Sequence, residues 1–495
     1  MTAADAAIEL AAPLSPAGLR RAATPVTVLV GPEVRDRVER GRAYLRKVLA
    51  EPGRAVYGAT TGFGALVGFA GRTDEADQCD NTLAHLTAGQ GPDLATDLVR
   101  AALLTRAWSL ARGASGVSAR VVDGLAAMFG TTFVPAVPRY GSVGASGDLI
   151  PLAYATQALR GRGSAYLDGR RRPAADALRE AGLDPLTLDG RDALALVNGT
   201  SVTSAALSLA LDRVRSAHRA LQSLTCLLVD LLGCDPGFLD PRLITAYGHP
   251  GAVEVAGRMR ATLAGSVPAG DRPLQEPYSI RCTPQLLGAA EDALRYVDGV
   301  VAADLGSVND NPLFFPDDDA VVHGGNFFGQ PAAFAADTLA NVATQLGNLA
   351  ERQLDLLVDP HRNGGRPPML AAGPGQQHGV QGVQLASTAL VAEMRRAATP
   401  AGMQSLPTNL HNQDVVPFGT QAALRAYDVA ELLTLLCGSL AVGLRQAAHV
   451  GDRDVTAAGC RSLLDALGEA VAPVDPDRPL DEDVRRAARL VTAEH

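Results

Sequence analysis

Beyond residue 200 the chain carries apolar residues at helical spacing over long stretches. These are Ser201–Leu232, Glu291–Leu305, Ala332–Leu357, Leu385–Ala398 and Gln421–Ala448. Loops rich in Gly, Pro, Asn and Asp separate them. Before residue 200 the pattern is mixed. Val26–Val30 predicts a short strand and Glu33–Leu49 a helix, while glycine-rich segments punctuate the chain at 58–71, 141–147 and 161–169. Tyr166-Leu167-Asp168-Gly169, followed by Arg171-Arg172-Pro173, predicts a small hairpin that turns at Asp-Gly. The expected class is mainly α: a smaller mixed region over residues 1–200 and a long-helix bundle over 201–495. No internal repeat or low-complexity linker sharpens the boundary.

Composition narrows the function. With 47% apolar and 20% charged residues in 495, the chain is an ordinary globular one, and its 4% aromatics leave core packing mostly to Ala, Leu and Val. Lys+Arg number 44 against 53 Asp+Glu, a net charge of −9 without a basic patch, which argues against nucleic acid and anionic membranes as partners. Lys47 is the only lysine, and it lies on an amphipathic stretch with no glycine-rich loop before it. Schiff-base chemistry with pyridoxal phosphate and a phosphate-cradling P-loop are thereby disfavoured. Cys79, Cys226, Cys234, Cys282, Cys437 and Cys460 form no CxxC pair and read as reduced core residues. The nine histidines show no zinc-binding spacing, so no metal is expected. The N-terminal stretch lacks the features of a secretory signal, and the uncharged apolar run Leu432–Leu444 is short for a membrane span. A cytoplasmic location is expected.

Ala-Ser-Gly occurs twice. Ala114-Ser115-Gly116 reads as a helix end in an Ala- and Gly-rich chain. Ala145-Ser146-Gly147 instead sits in Tyr-Gly-Ser-Val-Gly-Ala-Ser-Gly-Asp-Leu-Ile-Pro-Leu-Ala, where Gly141, Gly144 and Gly147 allow a compressed backbone. Compression of that kind can bring the Gly147 nitrogen against the Ala145 carbonyl carbon. Cyclisation and loss of two waters would then turn Ser146 into a methylidene carbon conjugated to an imidazolone, a strong electrophile. Pro151 suits the first turn of a following helix, whose positive end favours developing negative charge. A tight turn before a helix is the alternative. A serine nucleophile elbow needs Gly-x-Ser-x-Gly, and Asp148 occupies the last position.

The second tripeptide and its surroundings resemble the signature of the aromatic amino acid ammonia-lyases and related 2,3-aminomutases, which carry a 4-methylidene-imidazol-5-one (MIO) group. Further motifs follow in family order from residue 57 to 415. They are Tyr57-Gly-Ala-Thr-Thr-Gly-Phe-Gly64, Leu194-Ala-Leu-Val-Asn198-Gly-Thr200, Pro277-Tyr278-Ser-Ile-Arg281-Cys-Thr-Pro-Gln285, Asn309-Asp310-Asn311-Pro312, Gly324-Gly-Asn-Phe327 and Asn412-Gln413-Asp414-Val415. The resemblance implies a histidine ammonia-lyase-like fold, a homotetramer with shared active sites, and an MIO formed autocatalytically from Ala145-Ser146-Gly147 with no external cofactor. It assigns Tyr57 as the base for the β-proton, which requires a site that stabilises phenolate, since a phenol ordinarily titrates near pH 10. Asn198 and Tyr278 are implied to steady charge on the electrophile's ring oxygen. Arg281, whose planar fork matches a carboxylate, is implied to clamp the substrate with help from Asn311. Asn409, Asn412 and Gln413 should line the amine and carboxylate end, and Phe327 should lie at the substrate.

Two positions address the side chain. His85-Leu86 is similar to the tyrosine-acting branch, where the imidazole bonds the para-hydroxyl; phenylalanine enzymes place an apolar residue there. Gln413 stands where histidine-acting members carry Glu. The expected reaction is elimination of ammonia from L-tyrosine, or a ring-substituted tyrosine, to trans-4-coumarate. The alternative is a tyrosine 2,3-aminomutase giving β-tyrosine, with a phenylalanine lyase or a catalytically silent relative below it. Phe328 and the 374–382 stretch depart from the family pattern, and both are expected near the site. The fumarase-type lyases are disfavoured, since no Gly-Ser-Ser-x-Met-Pro-x-Lys loop is present.

Overall fold

The computed structural model describes residues 7–51 and 53–493. It is mainly helical, and its strands are short and paired in small separate sheets. Two compact units emerge, each assembled from three stretches of chain. The first takes the described residues of Met1–Leu209, Gly299–Asp337 and Pro400–Leu424; the second takes those of Ala210–Asp298, Thr338–Thr399 and Arg425–His495.

In the first unit, helix α1 (Pro32–Leu49) opens on a proline, whose missing N–H costs nothing at the first helical position. Its Tyr44, Leu45 and Val48 pack with Val56 and Phe314 in an apolar cluster. Helix α2 (Glu75–Leu86) starts at Asp74, whose carboxylate accepts the Asp77 N–H at 2.8 Å. Helix α3 (Thr96–Leu110) is buried almost all round, as a core helix is. Helix α4 (Leu149–Leu159) begins two residues after Gly147 and packs against both α2 and α5 (Asp192–Val197). That packing brings the helix bearing His85 beside the Ala-Ser-Gly tripeptide. The anticipated hairpin forms between Ser164–Leu167 and Arg170–Pro173. Asp168 and Gly169 both have positive φ, 51° and 73°, the handedness that matches strand twist in a two-residue turn. The strand expected near residue 28 is Val28–Leu29, paired in parallel with Ile8–Glu9.

The long helices are α6 (Ser201–Leu232), α7 (Thr283–Leu305), α8 (Gln330–Val358), α9 (Gln381–Ala397) and α10 (Gly419–His449). The second unit holds the greater part of each. The hydrophobic pattern predicted the limits of α6, but α7 starts eight residues before the expected Glu291. Its first turn, Thr283-Pro284-Gln285, is polar or proline-bearing and carries no apolar period, yet suits a helix start. Among the described residues, Gly419–Val450 is one helix long and apolar enough to cross a membrane, and 72% of its most apolar window is buried inside the protein. Burial pushes the thiols of Cys79 and Cys437 up to about 11 and about 12, so both are poor nucleophiles at neutral pH.

Candidate active site

The turn carrying Ala145-Ser146-Gly147 is built so that only glycine fits its last position. Gly147 has φ +71°, and a Cβ there would lie 2.3 Å from the Gly199 carbonyl oxygen. The next residue, Asp148, donates its N–H to that oxygen at 2.7 Å and is fully buried. Its carboxylate accepts from Ser142 Oγ at 2.9 Å, Thr420 Oγ1 at 2.6 Å and Thr203 Oγ1 at 3.0 Å. It also accepts the N–H groups of Val202 and Thr203, at 2.8 and 2.9 Å. Those amides belong to the first turn of α6, which has no intrahelical acceptor for them, so Asp148 caps the helix that follows the Asn198 motif. Burial pushes the Asp148 carboxyl above the usual carboxylate range, and these hydrogen bonds oppose the rise.

Asn198 donates from Nδ2 to the Ser146 carbonyl oxygen at 2.9 Å, while its Oδ1 is buried without a partner among the described residues. The Asn198 backbone is held by Arg106, whose guanidinium donates to Asn198 O at 2.8 Å and to Asn309 Oδ1 at 3.2 Å. Asn309 in turn donates to Thr200 Oγ1 at 2.6 Å. Burial draws the Arg106 guanidinium down to about 10, so it remains cationic at neutral pH. The adjacent Asp310 forms a fully buried two-point ion pair with Arg191, at 2.8 and 2.9 Å.

On the other side of Ser146, Gln413 Nε2 donates to Ser146 Oγ at 2.6 Å. The loop presenting it is strained. Asn409, Leu410 and His411 all sit in the left-handed region, at φ 56°, 54° and 60°, and bonds between Thr408 and Gln413 close the turn.

Tyr57 completes this group of residues. Its phenolic oxygen accepts the Gly64 N–H at 2.9 Å. Its ring meets the edge of Phe63 at a centroid distance of 6.1 Å, and Phe63 stacks on the His85 imidazole at 6.0 Å. His85 Nδ1 lies 3.0 Å from the Asn81 carbonyl oxygen. A carbonyl only accepts, so Nδ1 carries the hydrogen and, in the neutral ring, Nε2 is left as an acceptor.

Tyr57, His85, Leu86, Ser146, Asn409 and Gln413 line one cavity of about 690 Å³ in the first unit. Ala145, Gly147 and Asn198 sit immediately behind Ser146. Asn311, Phe327 and Asn412 belong to the same unit but do not line that cavity. Asn311 Oδ1 accepts the Gly324 N–H at 2.8 Å, Phe327 is half-buried, and the Asn412 N–H bonds the Asn409 carbonyl. Tyr278 and Arg281 lie in the second unit. There the Arg281 guanidinium lies over the exposed Tyr278 ring at 4.7 Å, and its Nε donates to the Glu276 carbonyl at 2.9 Å. The 374–382 stretch is also in the second unit, where Gln377 and His378 bond Asp475 and Asp477. Phe328 is half-buried in the first unit, away from the lining. Sequence reasoning gave no role to Asp148, Arg106, Phe63, Arg72 or Asn81. Asp148 carried a signal in its position directly after the tripeptide; Arg106, one arginine among many, carried none.

Residues 14–469 match the family model described as aromatic amino acid lyase. The chain belongs to that family. It is 38% identical to a histidine ammonia-lyase of Symbiobacterium thermophilum, over 94% of this chain and 92% of that one. It is 40% identical to a tyrosine ammonia-lyase of Cereibacter sphaeroides, over 93% and 92%. The structure superposes on a tyrosine aminomutase of Streptomyces globisporus with a TM-score of 0.91 at 31% identity, covering 98% of this chain and 97% of that one. The chain is therefore an aromatic amino acid ammonia-lyase or aminomutase by family, and a carbon–nitrogen lyase by reaction class.

The lyase family's internally built imidazolone can be tested against the residues present. Gly147 has no room for a Cβ, Ser146 Oγ already takes a hydrogen bond that assists its departure, and Asn198 places one amide group on the Ser146 carbonyl with a second, unpartnered buried atom beside it. These features fit the group.

Proposed function

We propose that the protein eliminates ammonia from L-tyrosine to give trans-4-coumarate, with an MIO formed from Ala145-Ser146-Gly147. The observation that carries this reading is the His85 imidazole in the cavity, its Nδ1–H tied to the Asn81 carbonyl and its Nε2 left to accept a phenolic hydrogen. A site with that acceptor leaves it unpaired when phenylalanine binds, which costs affinity. Gln413 in place of an acidic residue supports the choice of tyrosine over histidine.

Once formed, the group supplies an electrophile for the substrate's amino group. Tyr57, with the Gly64 N–H on its phenolic oxygen, removes the β-proton. Asn198 holds the carbonyl side of Ser146 and offsets negative charge there, and Gln413 orients the amine end. Tyr278 and Arg281 complete the site in a homotetramer, with Arg281 binding the carboxylate. A cytoplasmic location suits a chain with buried thiols throughout the core.

The second reading, a tyrosine 2,3-aminomutase, has support from the Streptomyces globisporus structure. The test is product identification by chromatography after separate incubation with tyrosine, phenylalanine and histidine. Coumarate from tyrosine supports the lyase and β-tyrosine the mutase. Turnover of histidine alone rejects both.

A further inference from the structure

Helix α2 directs Gln78, Asn81 and His85 to the cavity at positions i, i+3 and i+7, one face of the helix. Arg72, in the segment before α2, lines the same cavity. Its backbone N–H is held by Gln78 Oε1 at 3.0 Å, and its guanidinium donates to Asn81 Oδ1 at 3.4 Å. The latter contact occupies the Asn81 oxygen and leaves the Asn81 Nδ2 hydrogens as donors. Among the described residues no carboxylate pairs with the Arg72 guanidinium. A cation at a cavity wall without a counter-charge favours an oxygen on whatever enters.

This end of the cavity thus offers one acceptor, His85 Nε2, and three donors, Gln78 Nε2, Asn81 Nδ2 and the Arg72 guanidinium. A single ring hydroxyl uses the acceptor with its proton and one donor with its lone pair. The other donors are left without a partner. Resting on the tyrosine-type reading, we propose that the preferred substrate is an aromatic α-amino acid whose ring hydroxyl is flanked by a second oxygen, a catechol, and that Arg72 and Asn81 read that oxygen.

The experiment compares tyrosine with 3,4-dihydroxyphenylalanine in the wild type, Arg72→Met, Arg72→Lys and Asn81→Leu. In the wild type, kcat/KM for the catechol should exceed that for tyrosine. Arg72→Met and Asn81→Leu should each lower the catechol-to-tyrosine ratio about tenfold, mainly through KM, with partial recovery in Arg72→Lys. A second readout needs no turnover: calorimetry of 3,4-dihydroxycinnamate and 4-hydroxycinnamate binding to a Ser146→Ala protein, with and without Arg72→Met. The preference for the dihydroxy compound should fall in parallel. A wild-type ratio below one, or ratios that Arg72→Met and Asn81→Leu leave unmoved in both assays, overturns the proposal while tyrosine turnover keeps the parent reading. Turnover of histidine or phenylalanine with neither phenolic substrate consumed overturns both.

Discussion

Gln413 and Ser146, 267 positions apart in sequence, are joined by a 2.6 Å hydrogen bond from Nε2 to Oγ. The bond sets a neutral donor against the hydroxyl that must leave if the imidazolone forms, and it fixes where an amine meets the turn. Gln413→Leu removes the donor without adding charge. Loss of one such bond should lower kcat/KM for tyrosine about tenfold or more. Steady-state kinetics check this, alongside intact mass to confirm that the electrophile is present. An undiminished kcat/KM would remove Gln413 from the amine end.

Gly147 is the position at which the turn tolerates least. At φ +71° and with a Cβ 2.3 Å from a backbone oxygen, Gly147→Ala must shift either the turn or the Gly199 backbone that bridges to it. The mass deficit of two waters should be absent and turnover should be lost. Intact-mass measurement of the folded variant decides the matter, and a full deficit in that protein refutes the geometric argument.

Tyr57→Phe keeps the ring and its edge contact with Phe63 while deleting the oxygen that accepts the Gly64 N–H. If that oxygen takes the β-proton, kcat should drop by about 10²- to 10⁴-fold with the melting temperature little changed. Near-normal turnover would assign the proton transfer elsewhere.

The long helices and the Asp-Gly hairpin were legible because period and turn chemistry are local. Ser201–Leu232 advertises its apolar face along its whole length. The relation of Tyr57, His85, Ser146 and Gln413 was legible through motif resemblance alone, since nothing in their local patterns says that four distant segments converge. The supporting polar residues were less visible. Asp148 looks like any helix-start aspartate until Thr203 and Thr420 are seen around it. Arg106 acts through burial in α3, which composition cannot reveal in a chain with so many arginines. The discontinuous units were also hidden, because four of their five boundaries fall inside helices whose periodicity runs on unbroken.

Asp148 lends itself to a stability test. Burial raises its folded-state value, so the folded chain holds this proton more tightly than the unfolded chain. The proton's contribution is full below the unfolded value of about 4 and is lost as pH rises through the folded one. Asp148→Asn cannot titrate. The stability of the wild type relative to that variant should therefore decline as pH climbs from about 4 towards neutrality. Urea midpoints at several pH values measure it. Asp148→Ala, which strands the donors of α6's first turn, should cost about 3 kcal/mol or more at any pH. A flat pH difference between wild type and Asp148→Asn contradicts the assigned cause.

His85 is where the two substrate readings part. Its Nε2 is the acceptor that a para-hydroxyl would satisfy, and Phe63 stacks on the same ring, so a phenyl group fits the space with little repacking. His85→Phe removes the acceptor and leaves an apolar wall beside buried Leu86. Tyrosine then enters with its hydroxyl facing that wall, at a cost of about 1–3 kcal/mol, while phenylalanine no longer leaves a ring nitrogen unpaired. The ratio of kcat/KM for phenylalanine over tyrosine should rise at least about tenfold. Competition between the two substrates in one vessel, with both cinnamates quantified, measures the ratio directly. An unchanged ratio means that the hydroxyl is read elsewhere, and the case for tyrosine would then rest on Gln413 alone.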